Sequence, residues 1–295
     1  MVPPLDVGLV PTLRLGASRD RVRGSGILAG VPVEIAVVGG VDGARLAELD
    51  RDGVTRLGEV GGAALVLGGH ASPEVDVVVS SAGDLDAVWV GRVEPFARNV
   101  AEGRFAMAAG PPRLHPWDAE WAVVAARLLR RLGRATALPG VVWDHIGSTS
   151  VPGLAAKPVI DLQMGVPSLD ALPGLAQALS SVGFVDVAPH VPGSPGVLRD
   201  TPRDWFGAGA RWDKRLFASA DPGRRAILHV REIGSPWWHY TRAFRDLLHV
   251  DAGVRREYEA VKRDLAVAHA ADEGNDAYTV AKTAFFDSVQ HHLDH

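Results

Sequence analysis

Residues His145–Gln163 read HIGSTSVPGLAAKPVIDLQ, and this stretch decides the fold. The run Val141–Gly147 (VVWDHIG) is rich in β-branched and aromatic residues and predicts a strand. It ends at Gly147-Ser148 in a tight turn with free backbone N–H groups, where Gly, Ser and Thr allow a phosphate to approach closely and be hydrogen-bonded. Val151-Pro152-Gly153 stiffens and then reverses the loop, and Lys157 places a cation just before a second strand, Pro158–Val166. Asp161 lies inside that strand, where an unpaired carboxylate is costly, so it is expected to face a metal, a cation or solvent in a cleft. Taken alone, Gly147–Ser150 reads better as an ordinary polar turn, with Asp161 a satisfied structural aspartate. Lys157, Asp161 and the sequence blocks between Arg211 and Lys282 together favour a ligand pocket.

Outward from this segment, Asp118–Leu132 predicts an amphipathic helix. Trp121, Val124, Ala125, Leu128 and Leu132 lie on one face, while Arg127, Arg130 and Arg131 lie mostly on the other. Pro173–Val182 predicts a helix with Pro173 in its first turn and Gly183 as its stop. Strands are expected at Arg215–Ala218 and Arg225–Glu232, and helices near Pro236–His249, Gly253–Ala271 and Asp276–Leu293. Before the breaker cluster Gly110-Pro111-Pro112, strand-like runs occur at Val31–Val38, Ala64–Leu67 and Val75–Ser80, bounded by glycines. Between the first two, Asp42–Arg51 has helical spacing, and Asp84–Asn99 reads as a helix interrupted near Pro95. The expected fold class is therefore α/β or α+β in two units, 1–110 and 113–295, the second with a mixed sheet of about four to six strands.

Composition narrows the function classes. With 47% hydrophobic and 22% charged residues, 295 residues hold ample material for buried cores. A formal net charge of -4 makes general nucleic-acid binding a poor expectation, although a local basic pocket is compatible with it. Cysteine is absent, which rules out disulfides, thiolate metal sites and a cysteine nucleophile within the chain. No stretch approaches the length of a membrane span and the N-terminus lacks the pattern of a signal peptide, so a cytoplasmic location is expected. The histidine-rich ending reads as a polar helix end.

The central segment resembles the signature of the GrpB family. The resemblance continues through Arg211–Arg215 (RWDKR), Asp221–Arg225 (DPGRR), Leu228–Arg231 (LHVR), Gly234–Trp238 (GSPWW), Phe244–Leu248 (FRDLL), Tyr258–Lys262 and Tyr278–Lys282, in family order. It implies a nucleotidyltransferase-like fold: a mixed sheet with flanking helices. In that superfamily the glycine-serine turn precedes a strand with two acids at alternate positions, which share one strand face and hold catalytic Mg²⁺. Here the alternate position is Gln163, so the resemblance implies Mg²⁺ at Asp161 only if the domain is active. A distant acid, Asp204 or Asp213, is a candidate replacement for the missing ligand.

What remains is a cationic set suited to a nucleotide or phosphorylated metabolite: Lys157, Lys214, Arg215, Arg224, His229 and Arg231, with His145 near the Gly147-Ser148-Thr149 turn. For any one of these arginines a solvated or helix-capping role is as good a reading. His229 is a candidate general base, and a structural hydrogen-bonder otherwise. The Tyr258–Lys262 and Tyr278–Lys282 pairs are read as rings packed beneath lysine stems. Trp205, Trp212, Trp237 and Trp238 are expected to fill the core and cleft wall.

Val75–Gly103 resembles the end of the dephospho-coenzyme A kinase domain that some bacteria fuse upstream of a GrpB domain. A working kinase of that type needs the phosphate-cradling GxxxxGK[ST] loop, and the chain contains no such sequence. Gly24-Ser25-Gly26 and Gly39-Gly40 lack the required lysine. The first unit is therefore read as a shortened, kinase-derived remnant without phosphotransfer. Two functions follow from the whole reading: a nucleotide-binding, transferase-like protein, or a non-catalytic regulatory module tied to coenzyme A biosynthesis.

Overall fold

A computed structural model of the chain describes residues 32–106, 110–170, 172–191, 196–203 and 210–293. The first strand, Val33–Val38 (β1), buries Val33 and Ile35 and leads through two left-handed glycines, Gly39 and Gly40, to a helix, Gly43–Leu49 (α1). Asp42 caps α1 by accepting the N–H groups of Ala44 and Arg45. A short strand, Thr55–Leu57 (β2), follows; two of its three residues are exposed, and it carries no apolar pattern from which it could be foreseen. Leu65–Gly68 (β3) is wholly buried, whereas Val77–Val78 (β4) is much shorter than the expected Val75–Ser80. The four strands form a parallel sheet in the order β2-β1-β3-β4.

Ala82–Val88 (α2) then passes through one π-helical turn, Trp89–Val93, into Glu94–Ala101 (α3). The turn marks the interruption expected near Pro95. Proline has no N–H and its ring crowds the carbonyl four residues back, and the widened turn relieves both problems. Leu85, Trp89, Val93 and Phe96 thereby stay on one face and join β1 and β3 in a common core.

The second sheet has five strands in the order β5-β6-β9-β8-β7. Glu120–Thr136 (α4) is followed by Val142–Ile146 (β5), Ile160–Val166 (β6), Leu175–Ser181 (α5) and Phe184–Asp186 (β7). Lys214–Ser219 (β8) and Ala226–Glu232 (β9) complete it. Only β6 and β9 are parallel neighbours; β5 with β6, β9 with β8 and β8 with β7 run antiparallel. Pro173 lies outside α5, because Gly174 in a left-handed conformation (φ 71°) is the residue that opens the helix. β7 was not foreseen, being only three residues long.

Strand alternation divides β6 between two environments. Ile160, Leu162, Met164 and Val166 join α4 and α5 in the main core, with Phe217, Leu228 and Val230 from β8 and β9. Asp161, Gln163 and Gly165 face the other way, toward Pro236–Val250 (α6), Ala252–Ala268 (α7), Asp276–Ala281 (α8) and Thr283–Ser288 (α9). The last two replace the single helix expected over Asp276–Leu293. A β-carbon on Gly165 would stand 2.3 Å from the Trp238 indole nitrogen, so glycine is what lets α6 lie against this face.

The two sheets are joined by buried charge. Arg127 and Arg131 of α4 are both 2% exposed and both pair with Asp76, at 3.1 and 2.7 Å. Arg127 also donates to the Pro73 carbonyl, and Arg131 to those of Ala64 and Glu74. Across the junction Arg92 grips Asp221 with two bonds of 2.8 and 2.6 Å. Among the described residues, no helix is long and apolar enough to cross a membrane.

Candidate functional site

A cleft of about 220 Å³ opens between the Asp161 face of the sheet and the C-terminal helices. Its floor is polar: Gly147 and Ser148 from the turn after β5, Asp161 from β6, Lys214 from β8, and His229 and Arg231 from β9. Its far wall is largely aromatic, with Trp237, Tyr240 and Phe244 of α6, Tyr258 of α7 and Phe286 of α9. Trp212 packs behind that wall with Trp237 and Tyr240. Trp205 lies outside the described residues.

The turn has the geometry its sequence requires. Gly147 has φ 72°, and a β-carbon there would stand 2.6 Å from Asp161 Oδ2, so only glycine lets the carboxylate sit against the turn. Thr149 is buried, with its hydroxyl 3.0 Å from His145 Nε2 and donating to the Val159 carbonyl. Thr149 and His145 thus brace the turn without lining the cleft. Burial pushes the His145 imidazole down to about 4, so it is neutral near pH 7.

Asp200 organises the wall beside β9. Its two oxygens take Lys214 Nζ at 2.8 Å and the Arg231 guanidinium at 2.7 and 2.9 Å. Burial by itself would raise the Asp200 carboxyl, but Arg231 and Lys214 hold it well below the usual carboxylate range. Gln163 completes the network: its Oε1 accepts from Arg231 (2.7 Å) and Thr241 (2.9 Å), and its Nε2 donates to the Trp238 carbonyl at 3.2 Å. The residue standing at the second acid position is therefore a saturated structural amide.

His229 lies between this network and Asp161. Its Nε2 is 3.9 Å from Asp161 Oδ1, and its Nδ1 is 3.4 Å from Arg231 Nη2. A guanidinium can only donate, so Nδ1 is the acceptor and the ring proton sits on Nε2, facing Asp161. Burial, reinforced by Arg231, pushes the ring down to about 4 and keeps it neutral near pH 7.

A magnesium site of the two-acid kind does not fit these residues. Among the described residues, Asp161 is the one cleft carboxylate whose oxygens are not already committed, because Asp200 is held by two cations and Gln163 is spent on both ends. Asp213 is exposed beside Arg211 and away from the cleft, and Asp204 lies outside the described residues. Among the described residues, no cluster of three or more His, Asp or Glu is placed to hold a metal ion.

Several residues of the expected cationic set lie elsewhere. Strand alternation puts Arg215 on the opposite face from Lys214, where it reaches the Leu169 carbonyl. Arg224 is half-buried near Arg92, Asp221 and Asp76, in the junction between the sheets. Lys157 donates to Asn275 Oδ1 at 3.2 Å and lines a separate hollow. Its ammonium is 5.1 Å from the centre of the Tyr278 ring.

In its place the cleft has Lys282, which the sequence reading assigned only to packing on Tyr278. Its ammonium is 5.0 Å from that ring, and among the described residues it has no hydrogen bond or ion pair. Burial, with Lys157 nearby, pushes it down to about 7, although Asp161 draws it upward. Of the four lysines in the chain, Lys214 and Lys282 line the cleft, Lys262 sits against Tyr258 of the cleft wall, and Lys157 packs on Tyr278 in the separate hollow. That scarcity was legible in the sequence as a contrast with the many arginines, but nothing local tied Lys282 to the cleft.

Comparison with known proteins places this geometry in context. Residues 111–292 match the family described as GrpB protein. The chain is 39% identical over 210 residues to a Mycolicibacterium paratuberculosis protein named dephospho-CoA kinase, covering 68% of this chain and 49% of that one. It is 33% identical over 197 residues to a UPF0157 protein of Deinococcus radiodurans, covering 66% of this chain and 89% of the relative. Among solved structures it is similar to the conserved protein GrpB from Enterococcus faecalis, at 21% identity and a TM-score of 0.47, over 61% of this chain and 96% of that one. The chain spans about half the length of the relatives named dephospho-CoA kinase.

Proposed function

The chain belongs to the GrpB family, and from that premise we propose that its cleft binds a phosphorylated small molecule, a mononucleotide or smaller, without a two-metal transfer step. The observation that carries this reading is that Lys214 and Lys282 line the cleft and that, among the described residues, Lys282 has no hydrogen bond or ion pair. An unpaired ammonium in a partly dry site is costly, and an anionic ligand supplies the missing partner.

The rest of the cleft agrees in chemistry. The Gly147-Ser148 turn presents backbone and hydroxyl donors, His229 presents a neutral N–H, and the aromatic wall offers rings to a sugar or base. Size sets a limit. The volume of about 220 Å³ is below the roughly 300–1,000 Å³ of pockets that enclose drug-sized ligands, so a triphosphate would lie partly outside.

The N-terminal sheet, without a GxxxxGK[ST] loop, is read as kinase-derived and inactive in phosphotransfer. The names of the mycobacterial relatives make dephospho-coenzyme A and adenine nucleotides the first ligands to try, and a regulatory role beside coenzyme A biosynthesis the setting in which binding without turnover makes sense. Calorimetric titration with AMP, ATP, CTP, GTP, UTP and dephospho-coenzyme A, with and without Mg²⁺, tests this. Binding that is Mg²⁺-independent and at least tenfold weaker in Lys282→Gln is expected. Binding that requires Mg²⁺ and disappears in Asp161→Ala would instead establish a transferase centre.

A further inference from the structure

A second, smaller hollow of about 100 Å³ lies outside the cleft, lined by Pro111, Arg113, His115, Lys157, Arg225 and Asn275 together with Pro158 and Val159. It is framed by rigid pieces. His115 and Ala156 exchange two backbone hydrogen bonds, of 2.8 and 2.9 Å, which pin the segment after Gly110 to the loop before β6. The Ile160 N–H donates to the Arg225 carbonyl, so the start of β9 is fixed against the start of β6. Asn275 ties the far rim to the Gly110 carbonyl and to Lys157.

The charge in this frame is one-sided. Three basic side chains and a histidine line the hollow, with no carboxylate among the described residues that line it. Among the described residues, neither the Arg113 nor the Arg225 guanidinium has a hydrogen bond or an ion pair. Elsewhere Arg92, Arg127, Arg131 and Arg231 each pair with a carboxylate. Arg113 and Arg225 each bring to the hollow a planar set of donors matched to an oxyanion.

We propose that this hollow is a second phosphate site, independent of the cleft, in which Arg113 and Arg225 hold the oxyanion and Lys157 adds charge from the side. The group held is inorganic phosphate or the terminal phosphate of a small metabolite. The site does not depend on the cleft reading.

Titration with inorganic phosphate at constant ionic strength, followed by calorimetry and ³¹P line broadening, tests it. The background is Lys282→Gln, which removes the uncommitted cleft cation. Saturable binding in that background is expected, and it should weaken at least tenfold when Arg113→Gln and Arg225→Gln are added. The exposed Arg113→Gln alone should weaken it at least threefold, which keeps the test valid if the double variant folds poorly. Glycerol phosphate distinguishes the two sources: tighter binding than inorganic phosphate points to a metabolite, and weaker binding to the free ion. The proposal is overturned if binding is not saturable, if it survives the arginine changes, or if Lys282→Gln alone abolishes it.

Discussion

At the scale of single residues, the site turns on which charges are already matched. Asp200, Arg231, Lys214 and Gln163 neutralise and bond one another, so they form a polar wall and leave little capacity for a ligand. Lys282 is the exception, and it titrates in the physiological range. Its protonated form is the one that binds an anion. Affinity for AMP or dephospho-coenzyme A should therefore be greatest below pH 7 and fall as pH rises through about 7, toward a tenfold loss per unit above it. Calorimetry from pH 6 to 9 reads this directly, after correction for the ligand's own phosphate ionisation. Lys282→Gln should flatten the profile and leave binding weak throughout, whereas an unchanged slope would remove Lys282 from the site.

At the scale of elements, β8 and β9 carry the site because alternation delivers Lys214, His229 and Arg231 to one face and Leu228 and Val230 to the core. Asp200 reaches the strands from a preceding segment, where the Asp200 N–H donates to the Trp212 carbonyl and the Lys214 N–H donates to that of Leu198. Replacing Asp200 by Asn would leave two buried cations facing a neutral amide. Breaking a buried pair in this way costs about 3–5 kcal/mol, and urea unfolding should show a loss of that size near pH 7. The sign with pH follows from the depressed carboxyl. Its stabilisation is present above the ordinary aspartate pKa and disappears as pH falls through the lower folded value, so the gap between wild type and Asp200→Asn should narrow in acid.

At the scale of the whole molecule, the two sheets are locked by α4, whose arginine face meets Asp76 where an isolated amphipathic helix would meet water. Phe96 of α3 extends the contact: a β-carbon on Gly183 would lie 2.4 Å from its ring, so glycine lets the ring approach the second sheet. With this junction intact, the two sheets are expected to unfold together in a single urea transition. Asp76→Ala leaves Arg127 and Arg131 buried without their shared partner, and it should cost about 3–5 kcal/mol. It should also split the single urea transition into two, the parallel sheet unfolding first, as read by far-ultraviolet circular dichroism beside tryptophan fluorescence. One cooperative transition at lower urea would show that the remaining contacts suffice to couple the sheets.

By itself the sequence determined the secondary structure wherever a period or a breaker was strong: the Gly147 turn, the apolar stripe of α4, the alternation in β6 and β9, and the helix interruption at Pro95. Through the family resemblance it also placed Gly147, Ser148, Asp161, Lys214, His229 and Arg231 in one candidate set, together with His145, Thr149, Lys157, Arg215 and Arg224, which do not line the cleft. The three-residue strands β2 and β7 were invisible, since too few residues carry a pattern. What only the tertiary structure decided is pairing. Whether Arg127 meets water or Asp76, whether Gln163 awaits a metal or clasps Arg231, and whether Lys157 or Lys282 enters the cleft depends on groups dozens of residues apart. The energy of a buried charge is set by the partner that folding brings to it, and local sequence does not name that partner.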